Sequence, residues 1–447
     1  MSLGCSNDVY NALRASVLGG SFAEGLTACT EFIYTPKLGS SEENVAIFDR
    51  MFPRADIPER EKGETGDVVA VPYRRLPDLT NGWLPVAVRG LKPREGDSNV
   101  YISGPHVSTD DAERTFECLA LLKDNGFFEH ATDEDIRRAW FKSMHDWAVD
   151  SVYCGFMTID AFREPESYER YLEVMAEPKF KGHFSLSLGP LMQAGPFCLC
   201  VDSRPIELVC AMSNAHPIAV QSARFHYHVN RSLFLRRLAL GSSEDRIGAD
   251  EIRTAIANAR GHIDNPQVLR AIDAALGGDT SILMEKSVEV THPETGETRT
   301  MGLESLHAVF SFVYVLLNAR SFGHGVGVGL ELSYQNYNFD TDTIGQIAGW
   351  LLAHVFGLRG VVDTFGAEAV ENWERFDPSD QEKYDDQVAE IKRALLGDGD
   401  VTDIVAISEP HLKGIRDGSF KPVAHVRPAK FTQKCVYATI MHVSNGL

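Results

Sequence analysis

Asp340-Thr341-Asp342-Thr343-Ile344-Gly345-Gln346-Ile347-Ala348-Gly349-Trp350-Leu351-Leu352 opens with two carboxylates and two hydroxyls and then runs into apolar residues. This is the order of a helix start. Short polar side chains accept bonds from the open N–H groups of the first turn, and negative charge suits that end of the dipole. Ser108-Thr109-Asp110-Asp111, followed by Ala112-Glu113-Arg114-Thr115-Phe116 and an apolar run through Leu122, repeats the arrangement far upstream. Either cluster alone reads as a helix cap, and Asp110 with Glu113 approximates a capping box.

Outward from these two starts, helical periodicity dominates. It predicts helices over 8–32, 111–124, 133–150, 165–175, 217–236, 248–258, 266–276, 305–318, 343–357, 366–373 and 380–396. Residues 35–105 are rich in Pro and Gly and are expected to form an irregular insertion holding a few short strands. Residues 419–447 alternate weakly, and 360–447 are expected to pack as an extension on the helical body. Strands do not alternate with helices, so a parallel sheet is not expected. The fold class is therefore all-α, within one domain spanning 1–447.

Composition narrows the function classes. With 63 acidic against 43 basic residues the formal net charge is −20, which argues against a nucleic-acid partner. The longest apolar runs, near Ala308–Leu317 and Ile344–Leu358, fall short of the roughly 18 residues of a membrane span. The first twenty residues lack the basic start and apolar stretch of a secretory signal. None of the eight cysteines forms a Cys-x-x-Cys pair, so reduced thiols in a cytoplasmic protein are expected.

The chemistry rests on the two acidic starts taken together. A helix start needs one capping side chain, not two carboxylates and a hydroxyl. If the two starts meet, four carboxylates share one pocket. Each like-charged pair at about 4 Å then costs roughly 1 kcal/mol in water and about 4 kcal/mol at an effective dielectric of 20. Oxygen-only donors suit hard cations such as Mg²⁺, Mn²⁺ or Ca²⁺, and two such ions about 3.5–4 Å apart form the usual two-metal hydrolytic site. Spacing alone does not show that the starts meet.

Other motifs carry less. Gly323-His324-Gly325-Val326-Gly327-Val328-Gly329 lacks the spacing and context of a nucleotide loop and is expected to be a flexible loop. Asp398-Gly399-Asp400-Val401-Thr402-Asp403 imitates a calcium loop, but its sixth position is Asp403 rather than Gly. His226 and His228 fall on different faces of a helix and read as structural or surface residues. Cys198 and Cys200 alternate with Phe197 and Leu199, a core pattern.

The stretch from Asp340 to Gly349, continuing to His354-Val355-Phe356-Gly357, resembles the C-terminal signature of the ADP-ribosylglycohydrolase family. Thr109-Asp110-Asp111 is similar to that family's Thr-Asp-Asp element. Ala23-Glu24-Gly25-Leu26-Thr27-Ala28-Cys29-Thr30-Glu31-Phe32 resembles its GDALGxxxEF stretch. Gly189-Pro190-Leu191-Met192 with Pro196 resembles its GNGxxMRxxP segment, and Ser213-Asn214-Ala215-His216-Pro217 its THxHP segment. All five lie in family order.

The resemblance implies a large orthogonal helical bundle binding two Mg²⁺ or Mn²⁺ ions. It implies hydrolysis of the bond between ADP-ribose and an acceptor, either on an ADP-ribosylated protein or on a small ADP-ribosyl conjugate. By position the metal ligands are Thr109, Asp110, Asp111, Asp340, Asp342 and Thr343. Glu31, Asp111 and Asp342 are the catalytic candidates, and Gly189, Met192, Ser213 and His216 the substrate-binding ones.

Departures accompany the match. Gly-Asp of the first motif is Ala23-Glu24, and the Gly-Gly before Asp340 is Asn338-Phe339. Asn and Arg of the middle motif are Leu188 and Gln193, Thr-His is Ser213-Asn214, and the residue after Asp111 is Ala112 rather than Thr. The ligand positions survive while substrate positions change. A divergent member is expected, with a non-catalytic binder of the same fold as the alternative.

Overall fold

Asp340 begins the longest of the described helices as its N-cap, with its side chain accepting from the Thr343 N–H. The computed structural model describes residues 6–28, 87–90, 100–103, 110–150, 156–241, 245–292, 295–335, 340–367 and 370. Helix α1 is Ser6–Ala28, α2 Asp110–Asp124, α3 Asp133–Asp150 and α4 Tyr168–Ala176. Then follow α5 Arg204–Ala211, α6 Pro217–Leu240, α7 Ala249–Arg260 and α8 Pro266–Gly277. Last come α9 Glu304–Asn318, α10 Phe322–Gln335 and α11 Thr341–Phe365. Short helical turns at Gly189–Met192 and Gly195–Leu199 lie between α4 and α5.

Two antiparallel strand pairs also lie among the described residues. Strand β1, Ala87–Gly90, pairs with β2, Val100–Ser103, inside the expected insertion. Strand β3, Val288–Thr291, pairs with β4, Thr298–Met301. The rest of 35–105, the helix at 380–396, residues 419–447 and the Asp398–Asp403 turn lie outside the described residues. Among the described residues no helix is long and apolar enough to cross a membrane.

Local signals set the helix ends. Asn265 caps α8 by accepting from Gln267 N and Val268 N, Pro266 follows at the first helical position, and Gly278 ends the helix at φ 72°. In α9 every residue from Ser305 to Leu316 is buried, as befits a helix apolar on all sides at the centre of the core. Cys118, Cys198, Cys200 and Cys210 are free and buried, and burial pushes the Cys198 thiol up to about 12.

The glycine-rich run at 323–329 corrects the expected loop: it is helical, within α10. A Cβ at Gly325 would lie 2.6 Å from the Leu352 side chain and 3.0 Å from Ala319. The missing side chain lets α10 lie close against α11, and tertiary packing overrides the weak helix propensity of glycine. Helix α5, not foreseen from periodicity, starts with Pro205 in its first turn.

A polar seam joins α1, α6 and α11 inside the core. The His354 ring lies between Ser16 Oγ at 3.2 Å and Asn230 Oδ1 at 2.8 Å. Asn230 Nδ2 donates to Gly195 O at 2.7 Å, so its oxygen faces the ring and His354 Nε2 carries the proton. Three residues later α11 breaks at Gly357, whose φ of 66° and ψ of −176° leave helical space. The break frees carbonyls that a continuing helix satisfies. Arg237, 5% exposed, takes two of them, His354 O through Nε and Val355 O through Nη2, both at 2.7 Å.

Two expectations follow. Arg237→Leu strips charged donors from two buried carbonyls and lowers stability by about 2–4 kcal/mol in urea denaturation, with Arg237→Lys between the two. The second concerns His226 and His354, each held down to about 3 by burial. The unfolded chain binds these protons first, so their contribution is complete above about pH 6.5 and is lost as pH falls toward 3. Between pH 6.5 and 5 each costs up to about 1.4 kcal/mol per pH unit. His226→Phe should make the fall of melting temperature with acidity shallower over that interval.

Candidate functional site

Small residues bring α1 against α11. A Cβ at Gly349 would lie 2.2 Å from Gly19 O, and one at Gly345 would lie 2.0 Å from Thr27 Oγ1 and 2.8 Å from Ala23 O. The Thr341 hydroxyl donates to Thr27 O at 2.8 Å. Residue numbers rise along α11 as they fall along α1, so the helices are antiparallel and the end of α1 meets the start of α11. Glu31, three residues past the end of α1, lies outside the described residues.

Helix α2 joins through a side-chain bond. Gln346 Nε2 donates to Thr115 Oγ1 at 3.0 Å. Gln346 stands four residues after Asp342, and Thr115 four after Asp111. Each aspartate is therefore one turn, about 6 Å along its own axis, from the same contact and on the same helix face as it. Gly20 of α1 leaves the space that the Gln346 amide occupies, since a Cβ there would sit 2.6 Å from Oε1.

One carboxylate at each start is withdrawn from solvent. Asp111 is 1% exposed and Asp342 4%, with Thr341 and Thr343 also buried. The Thr343 N–H is shared by Asp340 Oδ1 at 3.3 Å and Asp342 Oδ1 at 3.0 Å. Asp340 supplies the cap, so the buried Asp342 exceeds what a helix start needs. Burying carboxylates is costly unless charge or hydrogen bonds compensate them, and donors that are all carboxylate and hydroxyl oxygen fit a hard divalent cation. Among the described residues no three His, Cys, Asp or Glu side chains gather as a metal-holding group. Thr109 and the side chain of Asp110 lie outside them.

The segment at 189–193 reaches this place through α2. Thr115 Oγ1 donates to Met192 O at 3.3 Å, and Arg114 Nη1 approaches Met192 Sδ at 3.4 Å. Gly189 and Met192 thus lie along α2, one turn past Asp111. Ser213 and His216 are tied elsewhere. Asn214 Nδ2 donates to Ser185 Oγ at 2.7 Å and Ser187 Oγ at 2.8 Å, holding the chain that leads into Gly189. His216 caps α6, its Nδ1 accepting from Ile218 N at 3.3 Å, and burial lowers its pKa. Among the described residues no hydrogen bond links Ser213 or His216 to the acidic starts.

Three residues beside the acidic starts were not singled out as candidates: Gln346, Thr115 and Arg114. The first two had a signal, their spacing of four from an acidic residue. A surface cleft of about 370 Å³ beside α6 is a separate feature. There Arg224 pairs with Glu207, and His228 stacks on His262 at 3.8 Å.

The sequence profile of the ADP-ribosylglycohydrolase family matches residues 7–398. No curated protein matches the chain. A solved structure described as an ADP-ribosylglycohydrolase-related protein complex is 16% identical, with a TM-score of 0.44, over 79% of this chain and 90% of that one. Over most of its length, from α1 past α11, the chain belongs to the ADP-ribosylglycohydrolase family.

Proposed function

We propose that this protein is a metal-dependent glycohydrolase that cleaves the bond between ADP-ribose, or a related ribosyl group, and its acceptor. The observation that carries the reading is the Gln346–Thr115 hydrogen bond, which sets buried Asp111 and buried Asp342 one turn from a common point. In this reading Thr109, Asp110, Asp111, Asp340, Asp342 and Thr343 would hold two Mg²⁺ or Mn²⁺ ions. When bound, the ions supply positive charge that orients the ribose hydroxyls and offsets the anionic diphosphate.

The chain's own groups do the rest. Glu31, a short way past the end of α1, is assigned to place and deprotonate the attacking water. Asp111 and Asp342 stand on two helices joined by the Gln346–Thr115 hydrogen bond, which sets their spacing. Gly189 and Met192 line the side along α2. A non-catalytic relative remains the second reading, favoured by Gln193 and Leu188 where the family carries Arg and Asn.

The assay is release of free ADP-ribose from ADP-ribosyl-arginine, ADP-ribosyl-serine and O-acetyl-ADP-ribose, with Mg²⁺ and after its removal by chelator. The expected outcome is turnover of at least one substrate with metal and none without it. Asp342→Asn should lower turnover at least about 100-fold and abolish the thermal shift on adding Mg²⁺, because it weakens a ligand to the ion. Metal uptake with no turnover on any substrate selects the non-catalytic reading. An unchanged metal response in Asp342→Asn would leave the acidic starts as helix caps only.

A further inference from the structure

None of Asp111, Asp340 or Asp342 lines the cleft beside α6, and the reading above gives the cleft no role. Arg224, His228 and Arg231 follow one another at spacings of four and three, so they stand on one face of α6. That face lines the cleft, opposite Ser203 at the start of α5 and His262 just after α7. The volume of about 370 Å³ falls at the small end of ligand clefts, roughly 300–1,000 Å³. Arg231 and His228 are half-buried and His262 is exposed, so a solute can reach all three.

Donors stand open along this face. Arg231 Nη1 donates to Cys198 O at 2.7 Å, which fixes the guanidinium. Among the described residues Arg231 makes no other side-chain hydrogen bond and no ion pair. The His228 and His262 rings stack at 3.8 Å, and neither ring makes a hydrogen bond among the described residues. Burial, with His262 beside it, holds His228 down to about 4, so its ring is neutral at pH 7. The acceptors are taken. Glu207 accepts from Ser203 Oγ at 2.5 Å through Oε1 and from Arg224 through Oε2. Asp202 Oδ1 accepts from Arg204 N at 2.9 Å. A guanidinium can only donate, so the complement of this cleft brings acceptor oxygens and negative charge. A fixed guanidinium suits phosphate oxygens in particular. A metal ion is the wrong complement, since among the described residues no three His, Cys, Asp or Glu side chains gather to hold one.

We propose that the cleft beside α6 binds a phosphomonoester, with its phosphate on Arg231 and the His228 ring one turn earlier. Donors reaching in from α6 and from the turn after α7 match the several strong acceptor oxygens of a phosphate. The volume leaves room for an organic group beside one phosphate, and the exposed His262 ring, stacked on His228, gives that group a flat neighbour. The site is independent of the glycohydrolase reading and shares no residue with the acidic starts.

The test titrates the full chain calorimetrically with phenyl phosphate, inorganic phosphate and benzoate, for wild type, Arg231→Gln and His262→Ala, with circular dichroism to monitor the fold. Wild type should bind phenyl phosphate, and bind inorganic phosphate and benzoate each more weakly. Arg231→Gln should weaken phenyl phosphate binding by about 10- to 100-fold, the range for a hydrogen bond to a charged group. Arg231→Lys should fall between, and it carries the test if Arg231→Gln does not fold. His262→Ala, at an exposed position, should weaken phenyl phosphate and leave inorganic phosphate unchanged. No binding of phenyl phosphate to wild type, or wild-type affinity in the folded Arg231 variants, overturns the proposal. Benzoate bound as tightly as phenyl phosphate overturns the choice of phosphate. Inorganic phosphate bound as tightly overturns the ester and makes free phosphate the ligand.

Discussion

The glycine-to-backbone contact between α1 and α11 is the constraint on which the rest of the structure depends. Gly19, Gly345 and Gly349 let two long helices approach until main-chain atoms touch. At that distance the Thr341 hydroxyl reaches Thr27 O, and the space above Gly20 admits the Gln346 amide. Any larger residue on this seam would push α11 outward and part Gln346 from Thr115. The acidic starts owe their mutual placement to residues with no chemistry of their own.

Further along α11 the same helix is held from its other side. Arg237 of α6 closes the carbonyls left open at the Gly357 break, and His354 lies between Ser16 of α1 and Asn230 of α6. A buried polar seam of this kind is costly when half satisfied and rigid when its bonds are made. It gives α11 a fixed rotation about its axis, which decides the face on which Asp342 and Gln346 emerge. Beyond the break Phe365 stacks on Phe22, ring centroids 4.8 Å apart, so both ends of α11 contact the C-terminal half of α1.

How much of this was legible in the sequence depended on how local each signal was. Carboxylates paired with hydroxyls before an apolar run mark a helix start, so α2 and α11 were readable where they begin. The expected end of the last motif helix at residue 357 coincides with the break at Gly357. What escaped was tertiary. Alternate glycines at 323–329 resemble a loop until Leu352 is seen packed against Gly325. Arg114 on an amphipathic helix resembles a solvated residue, and only the approach of Met192 and Trp147 shows it to be inside. Asn214 looked like a lost motif residue, yet it anchors Ser185 and Ser187. Glu31 and Thr109 stay known by motif alone.

The bond from Thr341 to Thr27 spans 314 residues, and this has a bearing on biogenesis. At roughly 5–20 residues per second a ribosome needs about 15–60 s to make the intervening chain. For that time the small-residue groove of α1 has emerged without its partner, a stretch of apolar surface that invites chaperone capture. The two acidic starts therefore come together only after α11 has emerged, when more than three quarters of the 447 residues have been made.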